Sequence, residues 1–195
     1  MLIVIVGDFG VGKDTVADMC IDLLGDEACK IKSWTTRRPR YPHENTHNFV
    51  LTNDSDAYFN EIISQQGDLV AYTKIDNEYY WVTFDQFNNC KYEFYITDKK
   101  GACDVFDNLD EKKLLIEIRR PEELISIDED RLNREKFPSQ PNVPMDICLL
   151  NNYDNLNDLR NDVLELVNCI IYAEDSSLKE YKSDWSNEHI LKLNY

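Results

Sequence analysis

Residues Val6–Thr15, VGDFGVGKDT, constrain this chain more than any other stretch. They follow Leu2–Val6 (LIVIV), a short β-branched apolar run that predicts a buried parallel strand ending at Gly7. After them Val16, Met19, Cys20, Leu23 and Leu24 form one stripe with Asp18 and Asp22 opposite. That spacing predicts an amphipathic helix over Val16–Leu24, ended by Gly25. A glycine-rich turn from strand to helix points backbone N–H groups inward at the positive end of the helix dipole, which favours an anion. Gly7, Gly12 and Lys13 fit G-x-x-x-x-G-K-[ST], with Gly10 and Val11 completing the wrap. Lys13 adds a full charge for the β- and γ-phosphates of a nucleotide. The last position departs from the pattern. Asp14 stands where a hydroxyl normally touches Mg²⁺, so it is either a metal ligand or a carboxylate that stabilises the helix dipole. Thr15, one residue late, offers a hydroxyl to a phosphate oxygen.

The rest of the 195-residue chain keeps a strand–helix rhythm with one interruption. Tyr92–Ile96, Lys113–Ile118 and Asp146–Leu150 read as strands, and Gly101–Asn108 as a helix. Pro121 opens another helix. Leu156, Leu159, Val163, Leu166, Val167 and Ile170 stripe a long last helix. Such alternation predicts an α/β fold, a three-layer parallel sheet with helices on both faces. The interruption, about 33–90, reads as an inserted α+β lobe. It holds a short strand at His47–Leu51 and a helix over Asp54–Gln66, capped by Asp54 or Ser55 and apolar through Ala57, Tyr58, Ile62 and Ile63. Alternating aromatic strands follow, turning at Ile75–Glu78. The core is then 1–32 and 91–172, and a polar tail runs over 173–195.

Net charge is −16, unevenly spread. Residues 1–50 hold six Lys and Arg against seven Asp and Glu, and the remainder 15 against 30. So acidic a surface repels a nucleic-acid backbone, which argues against a nucleic-acid partner but not against a small anion in a basic pocket. The absence of a signal-like segment or an apolar run of about 18 residues predicts a soluble, cytoplasmic protein with no membrane partner. The six cysteines form no C-x-x-C pair and are expected to be buried, reduced thiols. His43 and His47 lie in a loop without the ligand pattern of a zinc site.

Lys32–Arg40 (KSWTTRRPR) packs four cations into nine residues. Guanidinium forks match phosphate oxygens, so Arg37 and Arg40 on a proline-stiffened turn predict a second phosphate site. Here the sequence resembles the guanylate kinases, within the P-loop nucleoside monophosphate kinases. Ser33, Thr35, Thr36, Arg37, Pro39 and Arg40 match the family's S-x-T-T-R-x-P-R. Asn48–Val50, Glu78–Trp81, Asp98–Gly101, Arg120–Leu124 and Asp146–Leu156 match later motifs in order, so the resemblance runs from Leu2 to about Tyr172.

The resemblance implies ATP-dependent phosphorylation of a nucleoside or deoxynucleoside monophosphate, with Mg²⁺ between the donor phosphates and a lid, about 125–140, that closes over the site. It implies that Ser33, Arg37, Arg40, His47, Tyr80 and Asp98 bind the acceptor. Lys13 bridges the transferring group. Arg131 and Arg134, three apart on a helix, either stabilise charge on that group or are ordinary surface arginines. Several positions depart from the family. His47 replaces a phosphate-binding Tyr, Ala71 a guanine-reading Glu, Val82 a guanine-reading Ser, and Trp81 a Gly. An altered base preference follows, unless Glu78 or Asp98 restores a guanine contact. The alternatives are a non-catalytic binding module of the same shape and a P-loop kinase of another small metabolite.

Overall fold

The computed structural model describes residues 1–65, 68–121, 143–152 and 155–174. Strand β1 (Leu2–Val6) is wholly buried and lies at the centre of a sheet, as its unbroken apolar run requires. On one side it pairs in parallel with β7 (Tyr92–Ile96), which pairs in turn with β2 (Ala28–Lys30). On the other side lie β8 (Lys113–Arg119) and β9 (Ile147–Leu150), giving the order β2-β7-β1-β8-β9.

Alternate residues of β1 feed two cores. Ile3 and Ile5 pack with Val16, Ala17 and Cys20 of helix α1 (Lys13–Leu24), and with Leu159, Val163, Leu166 and Ile170 of the last helix, Leu156–Glu174. Leu2, Val4 and Val6 pack on the other face with Ala102 and Val105 of α3 (Lys99–Asn108). Helices therefore cover both faces of the sheet. None among the described residues is long and apolar enough to cross a membrane.

The interruption forms a second sheet, β4-β3-β6-β5, from β3 (Trp34–Thr35), β4 (Asn48–Phe49), β5 (Leu69–Ile75) and β6 (Glu78–Thr83). The β5–β6 hairpin turns on Asp76 and Asn77, both at positive φ, as a two-residue turn matching the twist of paired strands demands. Helix α2 (Ser55–Gln65) is capped by Asp54, whose Oδ1 accepts from the Ala57 N–H at 2.9 Å. Its buried anchor is Phe59, stacked on Tyr79 with ring centroids 4.0 Å apart, whereas the expected Ala57 is exposed.

Boundaries moved where caps decide them. Helix α1 starts at Lys13, three residues before the apolar stripe, and α3 starts at Lys99 because Asp98 caps it. The strand expected at His47–Leu51 is only Asn48–Phe49, and β2 and β3 lacked a legible pattern. The helix expected after Pro121, the lid, Arg131, Arg134 and the tail from residue 175 lie outside the described residues. The last helix is α4.

The cysteine expectation is corrected at one pair: Cys29 and Cys90 form a disulfide. Cys29 sits on edge strand β2 opposite Glu93 of β7. The Glu93 carboxylate gathers the N–H groups of Asn88 (3.0 Å), Asn89 (2.6 Å) and Cys90 (3.4 Å), folding that loop back to the sheet edge. The other four cysteines are free, but Cys103, Cys148 and Cys169 are only half-buried. Cys20 is buried, and burial pushes its thiol up to about 12, which makes it inert.

Candidate functional site

The Val6–Thr15 loop leaves the C-terminal end of β1 and enters α1. Gly7 has φ of 148°, and a Cβ there would lie 2.3 Å from the Ile118 carbonyl oxygen. Gly12 has φ of 96°, and its Cβ would lie 2.7 Å from Asn151 Nδ2. Only glycine fits either place. Gly12 caps α1 without a side-chain bond, so the first turn's N–H groups have no competing side-chain cap. Lys13 folds back over the loop, donating to the carbonyls of Gly7 (2.8 Å) and Asp8 (2.7 Å). Asp14 accepts from Lys30 at 2.7 Å on the exposed flank of α1, and Lys30 also reaches Asp18 at 3.1 Å. Burial works to lower the Lys30 ammonium, but the hydrogen bonds and charges of Asp14 and Asp18 outweigh it and raise it. Asp14 thus pairs with β2 as well as standing at the helix N-terminus.

Beside the loop lies a cavity of about 220 Å³, lined by Gly10, Gly12, Thr15, Arg120, Asn151 and the start of α4. Asn151 follows β9 and donates to the Val11 carbonyl at 2.9 Å, which ties the loop to the far side of the sheet. Its Oδ1 is buried without a hydrogen-bond partner. Arg120 and Asn151 were not singled out from sequence. Both sit inside stretches matching later family motifs, and only the fold turns them toward the loop.

The second cluster forms where β3 pairs with both β4 and β6. Thr35 lies opposite Phe49 and Tyr80, which brings the three segments' neighbours together. Ser33 Oγ and His47 Nδ1 are 2.9 Å apart, and the His47 ring stands edge-on to Tyr80 at 5.4 Å. The Arg37 guanidinium is buried and lies over the Phe49 ring at 5.2 Å. It grips Glu44 end-on, Nη2 to Oε1 at 2.7 Å and Nη1 to Oε2 at 3.1 Å. Nη1 also donates to the Arg38 carbonyl at 2.8 Å, while Nε is buried with no partner.

Glu44 was missed in the sequence; the signal was a lone carboxylate inside a basic loop. It also accepts from the Arg40 N–H (2.6 Å) and the Thr46 hydroxyl (2.9 Å). The Arg37 hydrogen bond, against the opposing effect of burial, holds its carboxyl down at about 2. Burial and then the Arg37 charge lower His47 to about 4, leaving it neutral at pH 7. Asp14 raises His47 and Arg40 lowers it, so α1 and this cluster lie within each other's electrostatic reach.

The structure brings Ser33, Arg37, His47 and Tyr80 together, with Arg40 tied in through its backbone. Asp98 caps α3 by accepting from Gly101 N at 2.7 Å, and its other oxygen accepts from Thr73 Oγ1 at 2.7 Å. Thr73 is the cross-strand partner of Tyr80, so Asp98 joins the core to the lobe beside the cluster. Glu78 Oε2 takes the hydroxyls of Thr36 (2.5 Å) and Ser55 (2.8 Å). Ala71 and Val82 face each other across β5 and β6, both buried in the apolar cluster beneath β1. Trp81 points the other way, among Trp34, Tyr58 and Phe59.

No family model matches the chain, and no curated protein sequence matches it. Among solved structures, a guanylate kinase from Anaplasma phagocytophilum superposes with a TM-score of 0.58 at 15% identity, covering 87% of this chain and 85% of that chain. At that identity the likeness shows a guanylate kinase-like fold.

Proposed function

We propose that this protein is a nucleoside monophosphate kinase, moving the γ-phosphoryl group of ATP to the phosphate of a nucleoside or deoxynucleoside monophosphate. The observation that carries this reading is the buried Arg37 Nε without a partner, beside Ser33, His47 and Tyr80. A buried charged donor left unpaired costs about 1–3 kcal/mol or more, and a phosphate oxygen would relieve that cost. Arg37, Arg40, Ser33 and Tyr80 would hold the acceptor phosphate. Lys13 would leave the carbonyls of Gly7 and Asp8 for the donor phosphates, with the N–H groups of Gly10, Val11 and Gly12 around them. The rest of the donor would enter the cavity lined by Arg120 and Asn151. Residues 33–90 act as the acceptor lobe and 125–140 as the lid, where Arg131 and Arg134 are the candidates to approach the transferring group.

No cluster of three His, Cys, Asp or Glu residues suited to a metal occurs among the described residues. Mg²⁺ would be carried mainly by the nucleotide phosphates, with the Thr15 hydroxyl and Asp14 as the nearby hard oxygens. Bound there, the ion would neutralise charge between the donor phosphates. This chain's own part would be positioning, the two clusters holding the donor and acceptor phosphates.

The chemistry of these positions does not single out guanine as the acceptor base. Ala71 and Val82 offer no polar atom, and the carboxylates of Glu78 and Asp98 are already hydrogen-bonded. The test is ADP release with Mg·ATP and a panel of eight ribo- and deoxyribonucleoside monophosphates, with Lys13→Ala as control. Turnover on at least one acceptor is expected, falling about 10²-fold or more in the variant. Folded protein that turns over none of them would reject this reading in favour of a binding module or another acceptor.

A further inference from the structure

We propose that Glu44 is a positioning residue, which selects the edge of the Arg37 guanidinium presented to the acceptor phosphate; this rests on the function proposed above. A guanidinium carries five N–H donors and two edges able to grip a pair of oxygens, one end-on between Nη1 and Nη2 and one side-on between Nε and Nη2. Glu44 occupies the end-on edge with two bonds, at 2.7 and 3.1 Å. The Arg38 carbonyl takes a third donor, and the Phe49 ring covers one face of the plane. On the side-on edge Nε lacks a partner, and the Tyr80 phenol hydrogen-bonds the same guanidinium.

The carboxylate does more than hold one arginine. Its remaining acceptor sites take the Arg40 N–H and the Thr46 hydroxyl, so both oxygens are doubly bonded. The segment Arg37–Thr46 closes around Glu44, which sets the spacing of Arg37 and Arg40 as well as the orientation of the first. A carboxylate this close to an anion site is a cost in charge. Its gain is geometric, because a long side chain that would sample many rotamers is held in one before the phosphate arrives.

The experiment compares wild type, Glu44→Gln and Glu44→Asp. It measures KM for the best acceptor of the panel, KM for ATP, kcat, and the acceptor's Kd by calorimetry without ATP. The Gln variant keeps the size but places an NH₂ group against Arg37. It is expected to raise acceptor KM and Kd at least tenfold, with ATP KM within twofold and kcat within threefold of wild type. The Asp variant, one methylene short, is expected to recover at least threefold of that loss. Acceptor KM within twofold of wild type in a folded Gln variant would overturn the inference alone. So would an equal rise in both KM values, since that is what a merely structural role produces. Should the Gln variant not fold, the same split between acceptor and ATP in the Asp variant decides. A wild type that binds no monophosphate would overturn this inference together with the kinase reading.

Discussion

His47 is a residue whose chemistry the fold moves well away from its ordinary state. Buried beside Arg37, it is held at about 4, below the usual imidazole value of about 6.5. A base lowered in the folded state contributes stability that is fully present above the unfolded value and is lost as pH falls through the folded one. The window is therefore pH 6.5 down to about 4, and the loss is on the order of 2 kcal/mol after allowance for its partial exposure. Glu44, lowered to about 2, adds a second window from about 4.5 downward. Urea midpoints followed against pH should decline across both windows in the wild type. In His47→Gln, whose side chain still reaches Ser33 but does not titrate, the upper window should flatten; an unchanged decline there would remove His47 as its source. Both residues stand in plain view in the sequence. Their charge states do not, because they depend on a guanidinium that the loop folds against them.

At the scale of elements, the local patterns were the legible ones. The β1 run, the Asp76–Asn77 turn and the α4 stripe each depend on neighbours a few residues away, and each formed where expected, save that Leu156 at the head of the stripe is exposed. The disulfide is the opposite case. Cys29 and Cys90 are 61 residues apart, with the whole second sheet between them, and only the pairing of β2 with β7 brings them together. By loop-closure arguments a bridge of that span restricts the unfolded chain by about 4 kcal/mol. Cys29→Ser is expected to lower the unfolding free energy by about that amount in oxidising buffer, and added reductant should bring the wild type to the same value. A wild type indifferent to reductant would show that the bond does not hold the sheet edge. The sequence pattern opens α3 at Gly101, and neither the Asp98 cap nor its bond to Thr73 across to the lobe is legible there.

For the molecule as a whole, the two positions that replace the family's guanine readers are part of the core. Ala71 and Val82 belong to the cluster that also holds Leu2, Val4, Val6 and Tyr95, so the lobe's inner face merges with the packing beneath the sheet. Ala71→Glu is therefore expected to put an unpaired carboxylate into apolar surroundings and destabilise the fold by several kcal/mol, without gaining guanine selectivity. Thermal melting together with the GMP-to-AMP rate ratio measures both; a stable variant that turned to GMP would show that Ala71 faces substrate.

The sequence by itself determined the features that local chemistry specifies. These are a glycine-bound turn between strand and helix, the periods of the elements, the α/β rhythm with one insertion, and two concentrations of phosphate-type residues. The tertiary structure alone decided how these meet. It set Glu44 on Arg37, Asn151 on Val11 across 140 residues, Lys30 on Asp14, and Trp81 among Trp34, Tyr58 and Phe59. The physical reason is range. A turn or a helix stripe is satisfied by residues close along the chain. A buried carboxylate or amide is satisfied only by whatever group the strand order and register deliver, and no period in the sequence encodes that order.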